Sequence, residues 1–137
     1  MNAPVATSLL TGTAQQADIT RAEKNVVLAS VARSVLEARR KLERICSGDV
    51  PRDAAWDMML EVFIARQTGR LLCVKDLTLL CGTSPAGAVR RLDRLQTAGL
   101  ICRKTDGQDH RRIQVDLTVR GFDAMHAILE DVVIVTR

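Results

Sequence analysis

The sequence contains few aromatic residues and no long apolar run. Among its 137 residues there are no tyrosines, one tryptophan and two phenylalanines, so aliphatic side chains must fill any core. The longest uninterrupted apolar candidate, 132–135, is far shorter than the roughly 20 residues that a membrane-spanning helix needs. We therefore expect no membrane association. A chain of this length is expected to fold as one domain without a metal or disulfide to stabilise it.

The cysteines form no recognisable disulfide or metal-binding pattern. Cys46, Cys73, Cys81 and Cys102 lie far apart, with no Cys-x-x-Cys pair and no histidine at the spacing of a metal ligand. No secretory signal precedes them, so we expect reduced and mostly buried thiols in a cytoplasmic protein. Oxidation sensing requires an accessible thiol of low pKa, and only Cys46, near the expected subunit interface, is a candidate for it.

The groups that an enzyme needs are also missing. No nucleophile is paired with a base, no glycine-rich loop follows a strand to hold a phosphate, and no acidic cluster is suited to a metal ion. The sequence therefore predicts a protein without catalytic activity, metal or cofactor. No residue points to a small-molecule effector either.

Basic residues are concentrated in one stretch of the chain. Between positions 84 and 112, seven lysines and arginines stand against three aspartates. This excess of four equals the formal net charge of the whole protein, +4, and the calculated pI is about 9.2. Because basic surface favours the approach of a polyanion, the stretch indicates a nucleic-acid partner.

The N-terminal part predicts an arm followed by a long helix. Residues 1–20 are rich in alanine, threonine and glutamine and carry no charge before Asp18, so we expect a disordered arm. Thr20, with Glu23 three residues later, has the pattern of a capping box at a helix start. The helix should end near Cys46, so that 21–48 forms one unit.

This first helix carries a regular apolar pattern. The apolar residues lie alternately three and four positions apart: Leu28, Val31, Val35, Ala38, Leu42 and Ile45. A period of 3.5 is typical of a coiled-coil seam, although the pattern covers only about two and a half heptads. Two interpretations stay open, a dimerisation helix and a long helix packed on its own domain.

Residues 51–118 are predicted to contain several short elements. A helix should begin at Pro51 or Arg52, with Asp53 near its positive end. Its buried face is predicted to contain Trp56, Met59, Leu60, Phe63 and Ile64. An edge strand at 71–73 and a short helix at 75–81 should follow.

A second short helix is predicted to start after Thr83 or Ser84, with Pro85 in its first turn. Its apolar stripe consists of Ala88, Leu92 and Leu95, and three arginines lie off the stripe. Ala86 and Gly87 are small. They allow either close approach of a partner or tight packing within the chain.

A hairpin and a closing helix complete the predicted order. Strands at 100–104 and 113–117 flank a charged turn, and Thr118 should cap a helix over about 119–135 within the unit 119–137. The stripe of that helix contains Phe122, Met125, Leu129 and Val132. Additional apolar residues near its end favour contact with a partner. His126 is interpreted as an incidental residue of this helix.

At these residues the chain resembles the MarR-type family of bacterial transcriptional regulators. The resemblance covers about 51–135 and rests on three segments of the sequence. They are the pattern Ser84, Val89-Arg90, Asp93, Leu95 and Gly99-Leu100-Ile101; the turn Asp106-x-x-Asp109-x-Arg111; and Leu117-Thr118-x-Arg120-Gly121. Two features depart from the family: Ala86 and Val89 replace frequent hydroxyl residues, and Arg91 replaces a frequent apolar one.

The resemblance implies a mainly α fold with a small antiparallel β wing, that is, a winged helix-turn-helix with long terminal dimerisation helices. It implies a homodimer that places one helix per subunit in the DNA major groove and the wing over the minor groove. The arginine at position 111 would enter the minor groove, and Asp109 would orient it. The interface would use Leu28, Val31, Val35, Leu42, Phe122, Met125, Leu129 and Val132.

Candidate DNA contacts follow from charge, position and the resemblance together. They are Ser84, Pro85, Ala86, Gly87, Val89, Arg90, Arg91, Arg94, Lys104, His110, Arg111 and Arg112. Arg90 is the favoured base contact, and Ser84 at a helix N-terminus suits a phosphate. His110 is either a phosphate contact or an exposed turn residue without a role.

The favoured function is sequence-specific binding of double-stranded DNA at a pseudo-palindromic site by a homodimeric regulator, most often a repressor by family analogy. The alternative is a winged-helix protein-interaction module, an accessory subunit of a larger assembly. The broad apolar surface of the first and last helices motivates this alternative.

Overall fold

The computed structural model describes residues 3–46 and 53–136, and the side chains of 20–45 and 53–133 within them. Its elements are α1 (Ala3–Cys46), α2 (Ala54–Gln67), β1 (Leu72–Cys73), α3 (Val74–Leu80), α4 (Pro85–Thr97), β2 (Ile101–Thr105), β3 (Ile113–Leu117) and α5 (Val119–Thr136). Helices therefore dominate the fold, with one small antiparallel sheet of order β1-β3-β2. The predicted fold class, mainly α with a β wing, is confirmed.

Helix α2 lies at the centre of the core. It packs against α1, α4, α5 and β3, and most of its residues are buried. Phe63, Leu60 and Met58 are almost completely inaccessible to solvent. The prediction that this helix supplies much of the core is confirmed, but burial extends around most of its circumference because other elements surround it.

The start of α2 differs from the prediction. The helix begins at Ala54, and the Asp53 carboxylate accepts a hydrogen bond from the Trp56 N–H group at 3.2 Å. Asp53 is therefore the N-cap and not a residue of the first turn. The predicted starting positions, Pro51 and Arg52, lie outside the described residues.

The prediction of a disordered arm is wrong over 3–20, because these residues belong to α1. The predicted capping box at Thr20 is wrong for the same reason, since the helix passes through it. Apart from Gly12, the segment after Pro4 contains no strong helix breaker, and its alanine, leucine and glutamine residues have good helix propensity. Pro4 falls in the first turn, where its missing N–H group costs no hydrogen bond.

The face of α1 that packs on its own domain is offset from the predicted seam. Leu28, Ala29, Ala32 and Leu36 are buried, whereas Leu42 is 50% exposed and Ile45 is 70% exposed. The buried positions follow the 3.6-residue period of a helix that packs against a globular core. Val31 and Val35 are half-buried at the edge of this face.

Two ion pairs join α1 to α2. Arg39 donates from Nε to the Asp57 carboxylate at 2.5 Å, and Arg40 donates from Nη2 to Glu61 Oε1 at 2.7 Å. Asp57 is only 1% exposed, so its contact with Arg39 lies at the edge of the core. The two arginines thus attach α1 to the core.

The burial corrects part of the predicted interface. Leu28, Met125 and Leu129 are at most 1% exposed within a single chain, so their side chains have no surface left for a second subunit in this conformation. Phe122 is half-buried, and its ring stacks on Phe63 with the ring centroids 5.8 Å apart. These four residues therefore stabilise the subunit itself. Val132 is half-buried.

The three described cysteines are reduced, and Cys73 and Cys81 are buried as predicted, whereas Cys102 is half-buried. The side chain of Cys46 lies outside the described residues. Within the described ranges, no helix is long and apolar enough to cross a membrane. The same residues contain no group of three or more histidine, cysteine and acidic side chains that could hold a metal ion.

Candidate nucleic-acid interface

The N-terminus of α4 uses Ser84, one of the two predicted caps, Thr83 and Ser84. Ser84 has an extended backbone and its Oγ accepts a hydrogen bond from the Gly87 N–H group at 3.0 Å, which makes it the N-cap. Pro85 occupies the first turn. Ser84, Pro85 and Ala86 are exposed, so this helix end is open to a partner.

Gly87 is buried, and its small size serves packing within the chain. A Cβ atom at this position would lie 2.8 Å from Thr83 Oγ1, 2.9 Å from Ser84 Oγ and 3.0 Å from Arg91 Nη1. Of the two explanations for the small residues, tight packing therefore applies to Gly87. Its prediction as a direct DNA contact is wrong in this conformation, because its own chain covers it.

The three arginines of α4 differ in solvent exposure. Arg90 and Arg94 are exposed, whereas Arg91 is half-buried and donates from Nη1 to the Gly87 carbonyl at 3.1 Å. Ala88 and Leu92 point into the core and are fully buried, as the apolar stripe predicts. Val89 is 43% exposed on the outer part of the helix. The outer face thus presents two unburied guanidinium groups.

The turn between β2 and β3 is held by its own aspartates. Asp106 accepts at Oδ1 from the Gln108 N–H group at 2.9 Å, and Asp109 accepts at Oδ1 from the Arg111 N–H group at 3.0 Å. The Arg112 N–H group also donates to the Asp109 carbonyl at 3.0 Å. Such side-chain bonds to backbone two residues later fix a turn without strand pairing.

The fixed turn presents an exposed arginine at the tip of the wing. The Arg111 side chain is 97% exposed, and its Nε lies 4.0 Å from Asp109 Oδ1. Lys104 and His110 are also exposed. Asp109 thus contacts both the backbone and the side chain of the arginine that it is expected to orient.

An open groove of about 850 Å³ lies between α3, the first turns of α4 and the wing. It brings five of the predicted site residues together: Pro85, Val89, Asp109, Arg111 and Arg112. Across the groove, Arg112 Nη2 lies 3.9 Å from Asp76 Oδ2. The pKa of Asp76 is lowered mainly by the Cys73 N–H group that donates to its carboxylate, with a smaller contribution from Arg112.

One contact in this region was not predicted from the sequence. Arg103 on β2 donates from Nη2 to Asp93 Oδ1 at 2.5 Å and from Nε to Gln96 Oε1 at 2.6 Å, and both acceptors lie on α4. Arg103 is one of the seven basic residues between positions 84 and 112, but its charge is paired with Asp93 inside the subunit. The spacing of Asp93 and Gln96 is the only sequence signal for this contact, and it does not identify the partner.

The start of α5 is attached to the turn that follows α4. Thr118 Oγ1 donates to the Gly99 carbonyl at 2.5 Å and accepts from the Gly121 N–H group at 3.0 Å. A Cβ atom on Gly121 would lie 1.9 Å from the Leu100 carbonyl oxygen, so only glycine fits there. Gly99 itself has φ +76°, as expected for a residue that ends a helix. These contacts give a physical reason for the Leu-Thr-x-x-Gly pattern.

Among the comparisons with known proteins, only the comparison with solved structures identifies similar proteins. The sequence matches no protein-family model and no curated protein. The structure is similar to that of S. aureus MepR in its DNA-binding conformation, with a TM-score of 0.54 and 21% identity over 81% of this chain and 79% of that chain. It is also similar to MepR in an S. aureus MepR–DNA complex, with a TM-score of 0.51 and 22% identity over 72% of this chain and 77% of that chain. The chain therefore has the winged helix-turn-helix fold that is also seen in MepR.

Proposed function

We propose that this protein is a homodimeric regulator of transcription, acting as a repressor, that binds a pseudo-palindromic site in double-stranded DNA. The observation that carries the proposal is the pairing of two exposed basic elements in one winged unit. Arg90 and Arg94 are exposed on α4, and Arg111 is 97% exposed at the wing tip. The similarity in fold to MepR in its DNA complex supports the same conclusion.

Each basic element has a distinct role in this proposal. Helix α4 enters the major groove, where Arg90 reads a guanine edge through two hydrogen bonds. The exposed N-terminus of α4 at Ser84 receives a backbone phosphate, because the helix dipole favours an anion there. Arg111 enters the adjacent minor groove, where the negative potential attracts a guanidinium group. Arg94, Lys104 and Arg112 add contacts to phosphates.

An apolar stripe on α1 supports the homodimer. Val27 is 52% exposed, Leu42 is 50% exposed and Ile45 is 70% exposed, and half-buried Val31 and Val35 lie between them. These residues are suited to meet the same stripe of a second copy, because a twofold interface uses the same surface on both subunits. Two winged units related in this way would contact half-sites about one helical turn apart.

Selection of bound sequences from a random duplex pool tests binding, symmetry and half-site spacing together. We expect enrichment of a pseudo-palindrome. In titrations with the selected duplex, Arg90→Ala should weaken discrimination by about 1–3 kcal/mol at one base pair of each half-site. Arg33→Ala, a change at an exposed arginine on α1, is the matched control and should leave discrimination intact.

The salt dependence of binding tests the wing. Arg111→Ala should reduce affinity and lower the magnitude of the slope of log K against log salt by about one, because a positive charge held in the minor groove, close to the phosphates of both strands, is lost. An unchanged affinity and slope would contradict the proposed placement of the wing.

The second candidate function, an accessory protein-interaction module, draws support from the exposed apolar residues Val26 and Val27 on α1 and Ile128 on α5. Light scattering after size-exclusion chromatography separates the two proposals. A monomer without salt-sensitive duplex binding would favour the module, and a dimer that binds a pseudo-palindrome would favour the regulator. Neither proposal includes catalysis.

A further inference from the structure

Arg103 connects the wing to α4 through two side chains. Its planar guanidinium group spans Asp93 and Gln96, which lie one turn apart on the helix. A rigid fork of N–H donors matches two acceptors at this spacing better than the single ammonium group of lysine. The Arg103 side chain is 23% exposed and that of Asp93 is 56% exposed, so the contact lies at the surface, where a guanidinium group held by two acceptors is better fixed than a single ion pair.

Arg103 lies close to the point where the wing leaves the body of the protein. The two residues that follow it in β2, Lys104 and Thr105, are exposed. Strand β2 pairs with β3 along its whole length, from Ile101 opposite Leu117 to Thr105 opposite Ile113. Because β2 and β3 are paired up to the turn that carries Arg111, the orientation of β2 at Arg103 also sets the orientation of that turn.

Asp93 has an unusual position for a residue on a DNA-reading helix. It is the only acidic residue of α4, and three arginines share the helix with it. A carboxylate on this helix repels phosphate, so by charge alone Asp93 would weaken DNA binding. Its contact with Arg103 gives Asp93 a structural role, and the same contact pairs the charge of Arg103.

We propose that Arg103, Asp93 and Gln96 form a positioning tie that sets the wing at a fixed angle to α4, so that the helix and the wing tip engage adjacent grooves together. None of the three side chains contacts DNA. The inference rests on the proposed DNA-binding function and deepens it. It assigns to an acidic residue a role that favours DNA binding.

The direction in which Asp93→Asn changes the affinity for DNA separates the tie from a simple charge effect. If Asp93 acted only through its charge, Asp93→Asn would tighten binding to the selected duplex. The tie predicts the opposite, a loss of affinity of about ten-fold, within the range of coupling between residues in direct contact. Arg103→Gln should weaken binding to a similar extent. The double variant should bind the duplex no more weakly than either single variant, because each of these three variants removes the same contact.

Two further measurements distinguish positioning from a phosphate contact by Arg103. A phosphate contact would lower the salt slope by about one in Arg103→Gln, whereas the tie leaves the slope unchanged. Arg103→Lys keeps the charge but cannot span both acceptors, so the tie predicts weakened binding where a phosphate contact would tolerate lysine. Glu37→Gln removes an exposed ion pair within α1 and is the control that should leave binding unchanged.

The wing angle can be measured without DNA. Residual dipolar couplings of backbone amides in β2, β3 and α4 report the orientation of the wing relative to the helix, and we expect this orientation to change in Asp93→Asn. If the wild-type protein binds no duplex, the proposed function fails, and the couplings alone decide whether the tie exists. An unchanged orientation, or tighter duplex binding by Asp93→Asn, would overturn the inference.

Discussion

Replacing Gly121 with alanine should separate the start of α5 from the turn that follows α4. The added Cβ atom would lie 1.9 Å from the Leu100 carbonyl oxygen and 2.8 Å from its carbonyl carbon. Both neighbours are backbone atoms, so the clash cannot be relieved by rotating a side chain. The helix or the turn must therefore move by about 1 Å before this contact reaches a van der Waals distance.

Three contributions set the magnitude of this effect. Alanine is a better helix former than glycine by up to about 1 kcal/mol, which favours the variant. Overpacking in a well-packed site costs about 1–3 kcal/mol. The displacement also weakens hydrogen bonds from Thr118 to the Leu100 and Gly99 carbonyls, at about 1 kcal/mol each. We therefore expect a net loss of about 2–4 kcal/mol in the free energy of unfolding.

Urea denaturation followed by circular dichroism measures this loss. Gly107→Ala is the matched control, because a Cβ atom there has no neighbour within 4 Å and the residue does not have positive φ. It should change the free energy of unfolding by no more than about 0.5 kcal/mol. Gly87→Ala should fall between the two, because its close neighbours are side-chain atoms that can shift. A Gly121→Ala variant as stable as the control would refute the argument.

Other contacts lead to further predictions about stability. Asp57→Ala removes a hydrogen-bonded ion pair but leaves Arg39, whose side chain is 32% exposed, in contact with water, so it should cost about 1–3 kcal/mol in urea unfolding; an unchanged free energy of unfolding would contradict the contribution of this pair. The pKa of Asp76 is held below its usual 3.8 by the Cys73 N–H group, so this cap stabilises the fold above that pH and is lost as the pH falls through the lowered value. Asp76→Asn should therefore unfold more readily than wild type at pH 7, and the difference should vanish in strong acid; a constant difference would contradict the assignment. Ser84→Ala removes the N-cap of α4 and should cost about 0.5–2 kcal/mol in the same unfolding assay, where Ser84→Gly should cost only a few tenths.

The elements that carry the candidate site could be predicted closely from the sequence. Strand β3 has the predicted bounds, β2 is shifted by one residue, and α4 starts after Ser84, one of its two predicted caps. These elements depend on interactions over a few residues. A serine before proline, a glycine that ends a helix and an alternating strand each restrict the backbone locally.

The packing of α1 could not be predicted in the same way. Its apolar residues fit a period of 3.5, but the core buries Leu28, Ala29, Ala32 and Leu36 at the period of a straight helix. Small alanines became core residues because α2 and α5 approach that face closely. Periodicity shows that a helix has an apolar face, but the neighbouring helices select which residues it buries.

The sequence by itself determined the order of the elements around the candidate site, the concentration of basic charge at the helix and wing, and the caps that delimit them. It did so because these features depend on backbone preferences and on charges close in the chain. Only the tertiary structure decided which charges are free to bind a partner. Arg90 and Arg111 are exposed, whereas Arg39 and Arg103 are paired with acidic residues on other elements. Such pairs form between positions distant in the chain, where the fold alone sets the distance between them.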